Sequence, residues 1–228
     1  GGVSIYDPND RIGISLKGTG DSRLAMVSSA GVAMSGALFS MGGTNTVPCK
    51  ITLLDNTQIA STKRLVLQGM LTGNAKTLTV AGPGETVLSG AKGMITNVSL
   101  NGGITLSANA TLSLENTVSA NKSDRMIDSI PVTMSGGGLR FANGGGATNY
   151  TEAIGAVTVN LGTNFFYASQ AASGQTSALV IASINRVGGT LNFSGEGLGE
   201  DARNRIFITG LGDGMIGPWA TINGTNLA

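Results

Sequence analysis

The sequence predicts an all-β protein, and three observations support this prediction. Apolar residues at helical spacing are interrupted throughout by glycine, serine or threonine. Short bursts of alternating apolar and polar residues recur along the chain instead. Glycine clusters separate the bursts, as tight turns with positive φ angles require. The 228-residue chain contains 36 glycines, about twice the usual fraction.

Each burst is expected to form a short, half-buried strand, because Leu, Val, Ile or Phe occupies one face and Thr, Ser or Asn the other. The predicted strands cover residues 12–16, 65–67, 77–80, 86–88, 104–106, 111–114, 157–159, 190–193 and 205–208. Turns are predicted between strands at residues 42–45, 101–103, 136–138, 144–146 and 188–189.

Among all-β architectures the pattern favours a single-domain parallel β-solenoid, that is, a β-helix. The strands are short, aromatic residues make up only 4% of the chain, and small aliphatic side chains are expected to point inward. Apolar and glycine-turn units return at intervals of roughly twenty residues, which predicts about ten coils and a rod about 50 Å long. A glycine-rich antiparallel sandwich or jelly roll is the alternative.

Composition excludes several classes of function. The chain contains no histidine, so neither a Ser-His-Asp or Cys-His relay nor an imidazole metal site can form. Its single cysteine, Cys49, excludes an internal disulfide and a thiolate metal cluster. The net charge of +1 is too small for an electrostatic nucleic-acid footprint, and no apolar run has the length of a membrane span.

Two neighbouring segments carry a recognisable motif, with LVLQGMLTG at residues 65–73 and LTVAGPGETVLSG at residues 78–90. They resemble the "LTLSGxITG" and "GxGTLTLSG" stretches of the autotransporter-associated β-strand repeat. Later segments follow in the family's order, at residues 125–137, 152–159, 184–193 and 216–224. The family tends to have a second glycine where this chain has Pro218, a difference that would stiffen the turn before Trp219.

The resemblance implies a right-handed parallel β-helix in a long bacterial protein that is secreted or displayed on the cell surface. Members of the family are usually described without a catalytic assignment. The resemblance also divides the chain into N-terminal solenoid coils over residues 1–64, which match weakly, and residues 65–228, which match the repeats. The terminal sequences are unlike natural termini, so we expect a piece of a longer chain.

Acidic residues are the first candidates for chemistry. A β-helix groove that presents a carboxylate pair could cleave glycosidic bonds, and clustered oxygens could bind calcium. The acidic candidates are Asp7, Asp10, Glu196, Glu200 and Asp201, together with the weaker segment 210–214. A solvated loop rich in glycine and acidic residues is the preferred interpretation, and no catalytic, metal or cofactor residue is assigned.

Three further features are interpreted as structural. Alternating charges at Lys122, Asp124, Arg125 and Asp128 could serve lyase chemistry but more often form a surface ion-pair patch. Cys49 is expected to be a small buried residue rather than a reactive thiol. Trp219 is expected to pack on the last coils of the core rather than to stack on a sugar.

The expected function is structural and non-catalytic. Solenoid ends expose unpaired backbone groups and apolar core, and this sequence shows no terminal amphipathic helix to cover them. We therefore expect the chain to bind copies of itself head to tail, as a fibre, stalk or surface layer outside the cell. The alternatives are a β-helix that binds or cleaves glycans, with surface glycans as partners, and a phage-type attachment fibre.

Overall fold

The computed structural model describes part of the chain, and within that part the protein is all-β. The described residues are 13–16, 24–27, 37–89, 98–100, 102–107, 109–117, 124–144, 149–170, 174–212 and 214–228. No helix occurs among them, and hence none that is long and apolar enough to cross a bilayer. The candidates Asp7, Asp10 and Lys122, and the first residue of the predicted strand 12–16, lie outside these ranges.

The strands are short in the first part of the chain and longer in the second. In chain order they are β1 (Gly13–Leu16), β2 (Leu24–Val27), β3 (Leu38–Met41), β4 (Thr44–Val47), β5 (Lys50–Leu53), β6 (Thr57–Ser61), β7 (Arg64–Leu67), β8 (Leu71–Gly73), β9 (Leu78–Ala81), β10 (Glu85–Leu88), β11 (Val98–Leu100), β12 (Ile104–Leu106), β13 (Thr111–Asn116), β14 (Val132–Ser135), β15 (Gly138–Asn143), β16 (Tyr150–Leu161), β17 (Thr163–Gln170), β18 (Ser177–Arg186), β19 (Thr190–Ser194), β20 (Asn204–Ile208), β21 (Ala220–Ile222) and β22 (Asn226–Leu227). Every strand predicted from the sequence overlaps one of these over its described residues.

The strands stack into three sheets. Sheet I has the order β1-β5-β8-β11, sheet II the order β22-β21-β19-β17-β15-β13-β10-β7-β4, and sheet III the order β2-β3-β6-β9-β12-β14-β16-β18-β20. Within the described residues every pairing is parallel except that of β21 with β22. The parallel β-solenoid is therefore confirmed, and the antiparallel sandwich is excluded.

The spacing between stacked positions grows along the chain. In sheet II, Leu65 pairs with Thr86, and Thr86 pairs with Leu112 at a wider interval. The next two steps, from Leu112 to Leu139 and from Leu139 to Phe166, are wider again and equal to each other. The expected repeat of about twenty residues holds only for the early steps. The strands of sheet II also become longer as these intervals increase, from 4 residues in β10 to 8 in β17.

The solenoid interior is aliphatic at first and aromatic later. Leu65 and Leu67 are fully buried in β7, as the sequence predicts. At the matching positions of later strands the buried side chains include Phe141, Phe166 and Phe193. The Phe166 and Phe193 rings stack, with centroids 5.9 Å apart. The expectation of an aliphatic interior is therefore wrong for these strands, because a wider coil leaves space that larger side chains fill.

Glycine permits close contact between coils at one corner. A Cβ atom on Gly69 would overlap the backbone carbonyl of Cys49 in the preceding coil. Cys49 itself is fully buried, as expected. The corner therefore requires a residue without a side chain for the two backbones to approach this closely.

The polypeptide chain reverses direction between β21 and β22, the last two strands of sheet II. The turn between β21 and β22 uses positive φ angles at Asn223 (50°) and Gly224 (74°), and the Thr225 N–H donates to the Ile222 carbonyl over 3.2 Å. Positive φ at two successive residues is typical of hairpin turns. The antiparallel β22 therefore covers the edge of β21, whereas β20 lies at the edge of sheet III with β18 as its neighbour among the described strands.

Candidate functional site

The outer face of sheet II forms an open groove. Outward and inward residues alternate, so Phe165 and Tyr167 lie outside while Phe166 is buried between them. The groove has a volume of about 980 Å³, and we call it the sheet II groove. The lining side chains used below are Lys63, Arg64, Glu85, Arg140, Phe165 and Tyr167.

A chain of ion pairs crosses the floor of the sheet II groove. Arg64 pairs with Glu85 on the next strand, and its Nη2 donates to Glu115 Oε2 over 2.7 Å. Arg140 Nη1 donates to Glu85 Oε1 over 3.2 Å, and the Ser113 hydroxyl donates to the same oxygen over 2.5 Å. The four charged side chains therefore hold one another across the strands β7, β10, β13 and β15.

The Glu85 carboxylate, at the centre of these ion pairs, is held in its ionised form. Burial raises the pKa of Glu85, but the Ser113 hydrogen bond and the guanidiniums of Arg64 and Arg140 outweigh it, and the pKa lies below its usual range. A general acid needs a pKa near the working pH. Glu85 is therefore suited to accepting hydrogen bonds rather than to donating a proton.

Two aromatic rings lie beside the ion pairs. A Cβ atom on Gly138 would overlap the Phe165 ring, so the absent side chain leaves room for that ring to lie against the sheet. The Arg140 guanidinium lies 5.5 Å from the centre of the Tyr167 ring, a distance typical of cation–π contacts. Both rings are partly exposed. They form an apolar platform at one end of the groove.

The opposite end of the groove is basic. The Lys63 side chain is exposed, and no carboxylate of the described residues forms an ion pair with it. Three basic and two acidic side chains, counting Glu115, make up the charge of the groove and its floor. The groove therefore combines an aromatic platform, alternating hydrogen-bond donors and acceptors, and a small positive charge.

A second group of polar residues lies inside the solenoid, and we call it the interior polar cluster. It consists of Arg125, Glu152, Asn116, Asn143 and Ser177, all buried. Arg125 Nε and Nη2 donate to Asn116 Oδ1 over 3.1 and 2.8 Å. Asn116 Nδ2 donates to Asn143 Oδ1 over 2.6 Å, and Asn143 Nδ2 donates to the Ser177 hydroxyl over 2.5 Å. These hydrogen bonds link successive coils through the core.

The Glu152 carboxyl group is anchored by main-chain donors. The backbone N–H groups of Arg125 and Met126 donate to its two oxygens over 2.7 and 2.9 Å. Burial raises the pKa of Glu152 to about 8, against these two donors and the Arg125 guanidinium, and Asp124 adds to the rise. Burial likewise lowers the pKa of Arg125 to about 10, although Glu152, Glu115 and Tyr150 oppose it.

The raised pKa of Glu152 predicts that stability falls as pH rises. Between the ordinary value of 4.5 and about 8, the folded protein holds a proton that the unfolded chain has released, so the free energy of unfolding decreases with pH. The decrease is on the order of a few kcal/mol and is complete above the folded pKa. Denaturant unfolding from pH 4 to 9 measures it, with Glu152→Gln expected to flatten the profile.

The control for this prediction is Glu200→Gln, since Glu200 is exposed. That variant should retain the wild-type profile. If the stability difference between wild type and Glu152→Gln stays constant across the pH range, the prediction is wrong.

The structure does not bring the acidic candidates into the sheet II groove. Glu196, Glu200 and Asp201 are exposed in the loop before β20, as the preferred interpretation expects. Arg203 Nε donates to Asp201 Oδ2 over 2.7 Å, and the hydrogen bonds from Arg203 lower the pKa of Asp201. No group of three or more potential metal-ligating side chains occurs in the part of the chain that the structure describes.

The prediction of a surface ion-pair patch at residues 122–128 is wrong for Arg125. Asp124 and Asp128 are exposed, but Arg125 between them is fully buried. The Asn116 amide oxygen and the Glu152 carboxyl group stabilise it there. Trp219 packs against the core, as expected, with the Arg186 guanidinium 5.5 Å from its ring centre.

Sequence reasoning missed Glu152 and the sheet II groove. Glu152 had a usable signal, because alternation places it on the same face as Tyr150 and Ile154, both of which are buried. No sequence signal predicts the sheet II groove, because its charged residues lie on strands that are far apart in the sequence.

Comparison with known proteins identifies no relative. No family profile, no curated protein and no solved structure matches this chain.

Proposed function

We propose that this chain is a structural, non-catalytic β-solenoid from a protein outside the cell or on a bacterial cell surface, with sequence repeats of the autotransporter-associated type. The solenoid is right-handed, has about ten coils and joins other copies end to end into a fibre, stalk or surface layer. The observation that supports this proposal is the unbroken parallel pairing of sheet II from β4 to β21. Such a ladder makes an extended body in which each coil contacts only its neighbours.

The edge of sheet III supports the proposed contact between copies. β20 has one neighbour, β18, among the described strands. On its other side the Asn204 and Ile208 carbonyls accept hydrogen bonds from the Gly199 and Leu211 N–H groups, and the backbone groups between them, at Ile206, face an added strand. Phe207 on this strand is 46% exposed, and Ile206 and Ile208 are half-buried. Because β22 covers the corresponding edge of sheet II, an added coil would pair first with β20.

Electron microscopy and light scattering test the proposal. We expect rods that lengthen with protein concentration, and an average mass that rises with it. Phe207→Lys places a charge on an exposed side chain of this edge and should shorten the rods without unfolding the protein. Leu161→Lys is the matched control, because Leu161 is already 63% exposed on another strand. Monodisperse monomers at high concentration, or equal rods from both variants, would count against this assembly.

A further inference from the structure

We propose that the sheet II groove binds a strand of an acidic polysaccharide, with one sugar ring packed on Phe165 and Tyr167 and the carboxylate of an acidic sugar farther along that strand facing Lys63. This inference is independent of the proposed end-to-end assembly, because it concerns the side of the solenoid. The groove is a different place from the acidic loop of Glu196, Glu200 and Asp201.

The shape of the groove fits an extended chain rather than a single sugar. Lys63 precedes β7 and Phe165 lies in β17, and four strand-to-strand steps separate these two strands in sheet II. At a strand spacing of about 4.8 Å, the groove is about 19 Å long between them. This spacing is close to the length of one pyranose ring in a linear polysaccharide. A polysaccharide along the solenoid axis would therefore place about one sugar on each coil, and the sugar at β17 would lie against both Phe165 and Tyr167, which are on that strand.

The aromatic platform suits the apolar face of a sugar ring. The C–H bonds of a pyranose ring carry partial positive charge, and the face of an aromatic ring is negative, so the two attract. Gly138 leaves room for the Phe165 ring against the sheet, and Arg140 holds the Tyr167 ring. Because both rings are held before binding, little conformational entropy is lost when a sugar stacks on them.

The ion-pair chain suits hydroxyl groups better than phosphates. Arg64 and Arg140 present donors while Glu85 and Glu115 present acceptors, and a sugar hydroxyl can both donate and accept. A nucleic acid would bring a phosphate charge to every coil, including those of Glu85 and Glu115, which repel it, whereas in a polysaccharide only the sugar beside Lys63 has to be acidic. Lys63, which no described carboxylate pairs with, leaves one positive charge for an acidic sugar.

Titration calorimetry on the full chain tests this inference with defined probes. The probes are a hexasaccharide in which uncharged sugars alternate with uronic acid (the uronic acid hexasaccharide), an uncharged hexasaccharide of glucose and a six-nucleotide oligothymidylate. We expect saturable binding of the uronic acid hexasaccharide, weaker binding of the glucose hexasaccharide, and little binding of the oligothymidylate. Phe165→Ala and Tyr167→Ala should each weaken binding by about tenfold, and Lys63→Gln should remove the preference for the charged sugar.

Leu161→Ala is the control, since it removes an exposed apolar side chain outside both the groove and the proposed contact strand β20, and it should bind as the wild type does. Circular dichroism checks that each variant remains folded. The inference is overturned if the uronic acid hexasaccharide does not bind, if the glucose hexasaccharide or the oligothymidylate binds as tightly, or if binding survives both aromatic substitutions. Rod length in the same samples reports separately on assembly.

Discussion

Phe166→Ala should lower the free energy of unfolding by about 3–5 kcal/mol. The Phe166 side chain is fully buried, stacks on Phe193 and lies above Leu139 of the preceding coil. Its removal leaves a cavity between two coils whose backbones are fixed by the parallel ladder, so the walls cannot close around it. Denaturant unfolding followed by circular dichroism measures the loss.

Phe207→Ala is the control for this prediction, because the Phe207 ring is 46% exposed. We expect it to cost less than about 1 kcal/mol. Similar losses for the two variants would mean that the interior at Phe166 repacks, and that the wide coils are not closely packed.

Arg125→Met should also be strongly destabilising, by about 3–5 kcal/mol at alkaline pH. The substitution keeps an unbranched side chain in the core but removes the cation next to the Glu152 carboxyl group. It also removes the two hydrogen bonds to Asn116 Oδ1. The loss should be smaller at acidic pH, because a protonated Glu152 does not need a buried positive charge.

A double-mutant cycle separates the two contributions. If Arg125 acts mainly through charge, Arg125→Met should cost much less in a Glu152→Gln background, and the coupling energy should increase with pH. Equal costs in both backgrounds at every pH would show that Arg125 stabilises the fold by packing and by its bonds to Asn116 alone.

Sequence patterns predicted the strands well where their residues alternate cleanly. Residues 104–106 and 111–114 match β12 and the first residues of β13. β17 was missed because its adjacent Phe165 and Phe166 hide the alternation, although they point to opposite faces. The parallel stacking was predictable from short strands and glycine turns, whereas the aromatic part of the interior depends on a coil width that local sequence does not determine.

The sheet II groove could not be predicted, for a reason that the register explains. Arg64 and Glu85 pair at nearly the expected spacing, but the later steps of sheet II take several more residues each. A fixed repeat of about twenty residues would place Arg140 and Tyr167 beside the wrong partners. The length of each coil is set by loops whose sequences do not reveal how many residues lie outside the ladder.

The ion-pair chain has a mechanical consequence for a rod under tension. Strands in this fold run across the long axis, so a pull along that axis loads the hydrogen bonds of each junction between coils and opens the weakest junction first. Arg64 reaches past β10 to Glu115 on β13, so two neighbouring junctions are clamped by one side chain. Stretching should therefore first separate neighbouring coils that lie outside the segment from β7 to β13.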